Sequence, residues 1–355
     1  MATASNLSAQ QSAGFTEAEI ERARAFHRPR YVALGIDLAL TLALLAALTQ
    51  LSVPGPWWTA AVLAPLVVDL LVACVGLPVD WWRYRHDLRF GLTAQTARAW
   101  AADRAKGIGV IAALTVLGLA PLFALAHFFR GAWPWIAAPA AAALVLVLGF
   151  LAPVVLEPVF NRFTPLADAE LSGRLLELGE QAGAPLREIL VADASRQTNR
   201  QNAYVSGIGR TRRLVLSDTL LESPPAELAV VVAHELGHRV RRHLALLRVL
   251  GMAGSVAFVL ILRLLRPHPV PHDAAFVLLL GLLLELAAAP AATALSRRFE
   301  RTADRFSLAL TSDREAFRAV HRRLGLTNLA DLDPPKPLYL LLFTHPTPQE
   351  RIGDA

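Results

Sequence analysis

The chain has 355 residues, 54% of them hydrophobic and only 18% charged, with a net charge of +6. This composition excludes an intrinsically disordered chain. The single cysteine, Cys74, excludes an internal disulfide and a cysteine-ligated metal centre. Charges cluster in blocks between long apolar runs, as expected of a chain that crosses a bilayer several times.

In chain order, residues 1–14 are rich in Ser, Ala and Gln, and no fixed structure is expected there. They lack the basic start and early apolar core of a cleaved signal peptide. A polar tail and juxtamembrane helix, 1–30, lead into a first membrane unit of four spans, 31–156. Six runs are long and apolar enough to span: 31–51, 58–80, 108–128, 133–156, 244–265 and 273–295. A spanning helix needs ~20 apolar residues, and no extramembrane segment here could cover so many apolar helices.

Basic residues set the expected orientation, because cytoplasmic flanks are enriched in Lys and Arg. Arg22, Arg24, Arg28 and Arg30 precede the first span. Arg83, Arg85, Arg89, Arg98, Arg104 and Lys106 lie between spans two and three, and many more Arg residues lie between spans four and five. The loops 52–57, 129–132 and 266–272 hold few. The alternation predicts a multi-pass protein of the cell membrane with both termini and the 157–243 segment on the cytoplasmic side. The positive charge is then directed at anionic lipid headgroups, and no nucleic-acid partner is expected. Asp37, Asp69 and Glu285 fall inside apolar spans, where carboxylates face either a polar partner or a hydrated cavity.

The hydrophilic segment 157–243 reads as a small α+β unit. A helix is predicted over 171–182 and strands over 187–192 and 213–217, with Gly207 to Gly209 as a turn. Asp218 is a candidate cap for a short helix, and Pro224 and Pro225 open a longer one. The predicted fold is a mainly α polytopic membrane protein carrying a small inserted α+β domain. Two further spans, 244–295, and a C-terminal portion, 296–355, complete the organisation.

The longer helix carries His234-Glu235-Leu236-Gly237-His238. His234 and His238 project a turn apart from one face and can share one Zn²⁺. Glu235 stands where it can polarise a water held by that metal. Glu300, in Glu300-Arg301-Thr302-Ala303-Asp304, supplies a third ligand and leaves a fourth position open, as in catalytic sites. One zinc per chain is expected. Gly237 costs a helix ~1 kcal/mol against Ala, which makes sense if another backbone passes close by. Asp304, on the same helical face as Glu300, is a candidate partner for the second ring nitrogen of a ligating histidine. The plain alternative is a salt bridge to Arg301 or Arg305.

His243, five residues past His238, points to a different face of a continuous helix and reads as a packing or interfacial residue rather than a ligand. Asn202, Ala203 and Tyr204 read either as an edge strand that could bind a peptide backbone or as a polar hairpin. His345, in Thr344-His345-Pro346, could stabilise an oxyanion or merely lie at the surface.

These segments together resemble the Ste24 family of integral membrane metallopeptidases, the type I CAAX prenyl proteases. The resemblance runs over about 58–352. It includes Leu77-Pro78, Phe90-Gly91, Gln95-Thr96, Asp103 and Lys106, then the stretches 160–166 and 216–221. It continues through the HExxH motif with 296–300 and Asp304, and ends at His345-Pro346 and Arg351-Ile352. It implies a zinc endopeptidase whose helices enclose a water-filled chamber, with Asn202, His234, Glu235, His238, Glu300 and His345 as functional positions. Eukaryotic members have seven spans, one more than expected here. The expected substrate is a peptide or membrane protein, and the oligomeric state is not legible. Three rival readings are a quality-control protease similar to the HtpX type, a non-catalytic scaffold with a relict zinc site, and a transporter. The last lacks the paired broken helices and repeats that transporters show.

Overall fold

The computed structural model describes residues 14–50, 54–206 and 213–355. The expected turn at Gly207–Gly209 and nearly all of the N-terminal tail lie outside the described residues. Among the described residues, six helices are long and apolar enough to cross a membrane. They are α1 (Glu17–Leu48), α2 (Trp57–Arg89), α3 (Ala97–Phe128), α4 (Trp133–Leu151), α7 (His243–Leu265) and α8 (Ala274–Thr311). The fourth continues as a π turn, Ala152–Leu156, and a last turn, Glu157–Phe160.

Several of these helices are longer than a bilayer requires. The 32 residues of α1 span about 48 Å at ~1.5 Å per residue, against a ~30 Å hydrocarbon core. Thr16 and Glu19 cap it reciprocally, each side chain accepting the other's backbone N–H. Its polar first half docks on the C-terminal portion: Arg24 pairs with Asp333 at 2.6 Å, and Arg322 donates to the Gly14 carbonyl and to Glu19. The juxtamembrane stretch and the first span are thus one helix.

The bundle is tied together at one end. Trp133 is fully buried there among Ala64, Phe123, Leu262 and Ala274, and its indole N–H donates to the Pro267 carbonyl. Elsewhere the outward faces are apolar and exposed, as at Leu70, Leu117, Val147, Val249 and Leu264, which suits lipid contact. Of the intramembrane acids, Asp37 meets Arg83 at 3.0 Å.

At the opposite end sits a four-stranded sheet, order β1-β2-β4-β3. Its strands are β1 (Phe163–Pro165), β2 (Glu188–Ala192), β3 (Ala203–Ser206) and β4 (Arg213–Ser217). β2 and β4 run parallel, and the outer strands pair antiparallel. β4 is central, so Leu214, Val215 and Leu216 are all fully buried, the reason its apolar run is continuous rather than alternating. β3 is an edge.

Helix α5 (Ala169–Gln181), capped by Asp168, and helix α6 (Pro225–Val240) pack their apolar faces on the sheet through Leu175, Leu228, Val232 and Leu236. Asp218 does not cap the short turn Asp218–Leu220; Ser217 holds the cap position. The Asp218 carboxylate instead accepts from the Ser195 backbone at 2.9 Å, pinning the loop before β3. Three short helices complete the chain: α9 (Arg314–Thr327), α10 (Lys336–Leu342) and α11 (Pro348–Gly353).

This arrangement puts Ser172 and Ala355 at the sheet end and Pro269 at the tied end. Reporters fused after Ala355 and inserted near Ser172 should therefore read the same side of the membrane, and one near Pro269 the other. Agreement between the Ser172 and Pro269 reporters would rule out six spans.

Candidate metal centre and active site

Helix α6 starts where two prolines permit it, with Pro224 at the cap and Pro225 in the first turn. Glu227 in that turn pairs with Arg323 at 2.6 Å. The face that carries His234 and His238 turns toward α8, and their rings lie 4.8 Å apart between centroids. The two Nε2 atoms approach to 3.0 Å. Glu300 closes the group: Oε2 lies 3.3 Å from His234 Nε2, and Oε1 lies 3.2 Å from His238 Nε2.

Two imidazole nitrogens and a carboxylate, all within 4.8 Å of one another, form a donor set suited to a divalent metal such as zinc. Glu300 Oε2 is buried without a hydrogen-bond partner. An ionised carboxylate left so would be costly, and a cation among these atoms removes that cost. The residues present therefore fit a metal.

The spacing depends on Gly237. A Cβ there would stand 3.1 Å from Ala303 Cα and 3.1 Å from Phe306 Cδ1. Helix α8 thus crosses α6 at backbone contact, one turn from Glu300. Gly237→Ala gains ~1 kcal/mol of helix propensity but forces the helices apart, an overpacking cost of ~1–3 kcal/mol. We expect a lower Tm together with weaker metal retention, measured by thermal denaturation and metal analysis. A rise in Tm with full metal content would show the crossing to be loose.

Asp304 lies where the sequence places it, on the same face of α8. His234 Nδ1 is 2.8 Å from its Oδ1. The carboxylate is gripped in turn by Arg351 of α11, whose Nε donates to Oδ2 at 2.9 Å and whose Nη2 donates to Oδ1. Neither Arg301 nor Arg305 pairs with it among the described residues; Arg301 faces Glu350 at 3.9 Å. Arg351 carries no local signal of this role, because 47 residues separate it from its partner.

His243 is not on a different face of one helix, because the helix ends at Val240. Arg242 takes a left-handed conformation, φ 57°, and α7 restarts at His243. The reversal returns the His243 ring to His238, with 3.0 Å between the two Nδ1 atoms.

Glu235, Asn202, Ala203 and His345 line one cavity of about 300 Å³ together with His234 and Glu300. Burial pushes the Glu235 carboxyl above its ordinary pKa, opposed by the neighbouring His234 and His238. His345 Nε2 lies 3.4 Å from Glu300 Oε1, with most of its side chain exposed. The β3 edge borders this cavity. Asn202 accepts from and donates to Ser217 through its backbone, and Ala203 pairs with Leu216. Asn328 fastens the entry to β3, exchanging two hydrogen bonds with the Gln201 backbone at 2.7 and 3.0 Å. Tyr204 is directed elsewhere, its hydroxyl donating to Glu157 at 3.2 Å.

Comparison with known proteins assigns the chain to a family. The model of peptidase family M48 matches residues 165–355. The chain belongs to peptidase family M48. A second model, described as CAAX prenyl protease N-terminal, five membrane helices, matches residues 17–162 of this M48 chain. Among the described residues, that stretch forms four of the six long apolar helices.

An uncharacterized metalloprotease, YhfN of Bacillus subtilis, is 32% identical over 81% of this chain and 71% of its own. CAAX prenyl protease 1 of Saccharomyces cerevisiae is 31% identical over 50% of this chain, an alignment spanning 40% of the yeast protein. The crystal structure of S. mikatae Ste24p shares the fold: TM-score 0.79 at 21% identity, covering 96% of this chain and 89% of that one. The protein is a multi-pass membrane metallopeptidase of family M48 with the fold of Ste24p. The rival scaffold and transporter readings lapse with that assignment.

Proposed function

We propose that this membrane metallopeptidase is an endopeptidase that uses one Zn²⁺ held by His234, His238 and Glu300, with Glu235 as its general base. The observation that carries the reading is the convergence of those three donors beside a cavity lined by His234, Glu235 and Glu300 and bordered by a strand edge. When bound, zinc lowers the pKa of a coordinated water toward ~7 and polarises the scissile carbonyl.

The protein's own groups do the rest. Glu235 takes the proton of the attacking water at its carboxylate, and its partial burial makes that carboxylate a better base. The same carboxyl then hands the proton to the leaving amine. His345 lines the same cavity and donates toward the oxygen on which negative charge develops. A substrate extended beside β3 continues the sheet by main-chain hydrogen bonds from Ala203, since the Asn202 backbone groups are engaged by Ser217. Asp304, clamped by Arg351, keeps the His234 ring oriented.

His345→Ala should leave zinc content and peptide affinity near normal. It should lower kcat and kcat/KM together by ~10²–10³-fold, as for other oxyanion donors. If His345 only packs the C-terminal element, Tm will fall and turnover per folded molecule will stay close to wild type.

The substrates in this reading are peptides or membrane-protein segments reached from the bilayer, on the cytoplasmic side by the distribution of Arg. The name of the yeast relative makes a prenylated C-terminal peptide one candidate class. Trapping substrates in native membranes with Glu235→Gln, followed by mass spectrometry, tests the proposal. Recovery of prenylated peptides supports processing, and recovery of fragments of diverse membrane proteins supports quality control. Trapping of neither class above an unrelated control would overturn the endopeptidase reading.

A further inference from the structure

We infer that His243 is a positioning residue for the metal ligand His238: it accepts the Nδ1 proton of His238 and thereby leaves His238 Nε2 bare toward the metal. The inference rests on the reading of His238 as a ligand.

The hydrogen-bond directions are assigned from the Thr302 end. Thr302 gives its hydroxyl proton to the Phe299 carbonyl, 2.8 Å away. With the hydroxyl proton on that carbonyl, the Thr302 oxygen accepts from His243 Nε2, 3.1 Å away. A neutral His243 with its proton on Nε2 has a bare Nδ1. That Nδ1 faces His238 Nδ1 at 3.0 Å, and two protons cannot both occupy that gap. His238 Nδ1 is therefore the donor and its Nε2 carries the free lone pair. That nitrogen is the one turned to Glu300, at 3.2 Å. Each link is compatible with the arrangement that metal binding needs.

The His243 ring is held for this purpose. It is buried and stacked on Phe299, with centroids 4.2 Å apart and planes 7° apart. Phe299, Glu300 and Thr302 all belong to α8, so one helix supplies the third ligand and both supports of the His243 ring. The left-handed Arg242 is the conformation that lets α7 begin with His243 facing back to α6. Such backbone conformations persist where surrounding structure over-determines them. The two histidine ligands are thus supported differently. His234 leans on a carboxylate and His238 on a neutral imidazole.

The test uses the purified full-length protein in detergent. Its zinc dissociation constant is measured by competition with a chelating indicator. The visible spectrum of the cobalt(II)-substituted protein reports ligand geometry. His243→Phe keeps a ring to stack on Phe299 but removes the acceptor. It should weaken zinc binding ~10–100-fold and alter the cobalt spectrum. His243→Asn restores an acceptor near the Nδ1 position and should recover most of the lost affinity, an outcome that packing alone does not predict.

Thr302→Val, which removes only the far end of the relay, should shift affinity in the same direction by ~3–10-fold, a fraction of the usual outer-partner effect. It serves as the test if His243→Phe does not fold. Wild-type affinity and spectrum in His243→Phe would overturn the inference, as would an Asn variant no better than Phe. Should His238→Ala keep full zinc, the ligand assignment itself fails, and the two failures are distinguishable.

Discussion

Glu235→Gln should hold about one zinc per chain and hydrolyse nothing measurable. The substitution keeps the size and hydrogen-bonding reach of the side chain but removes its basicity. Glu235 is not among the three donors that converge, so the metal should stay. Loss of a positioned general acid–base group costs ~10²–10⁴-fold, and in the proposed mechanism the same group serves both proton transfers, which places the effect toward the upper end. The check is kcat on a fluorogenic peptide beside metal analysis of the same preparation. Retained turnover at full metal content would remove Glu235 as the base. Loss of metal in this variant would instead make Glu235 part of the donor set.

Glu300→Ala has the other large expected effect, on the metal itself. The carboxylate is almost fully buried and touches both histidine Nε2 atoms and His345. Removing it leaves two imidazoles as the only donors of the group, too few for the three-ligand arrangement of catalytic zinc sites. Zinc content and hydrolysis should fall together to near zero, and added zinc should restore little. His234→Ala should behave alike, with a further loss of stability because Asp304 and Arg351 would lose their imidazole partner. Full metal content in either variant would refute the assignment of these residues. The contrast between the two experiments is the informative part. Glu235→Gln separates chemistry from metal, and Glu300→Ala removes both.

Much of this protein is local in sequence. The spans are legible because a bilayer demands ~20 apolar residues in a row and the helix satisfies its own backbone. The pair His234 and His238 is legible because a helix brings i and i+4 together wherever it forms. The need for Gly237 beside them could be stated before any contact was visible. Asp304 could be placed because it repeats the face of Glu300.

The rest was decided by chain reversals and distant contacts, which leave no periodic trace. The strand order puts β3 at an edge, and only that order shows why Asn202 and Ala203 border the cavity while Tyr204 turns to Glu157. Arg351 reaches Asp304 from the end of the chain. Spacing puts His243 on another face of a continuous helix, and a single left-handed residue, Arg242, cancels that premise. Helical periodicity predicts neighbours only as long as the helix lasts. Where it stops, one backbone dihedral redirects the chain, and the packing of α7 and α8 around Phe299, not the spacing of residues, sets which groups meet at the metal centre.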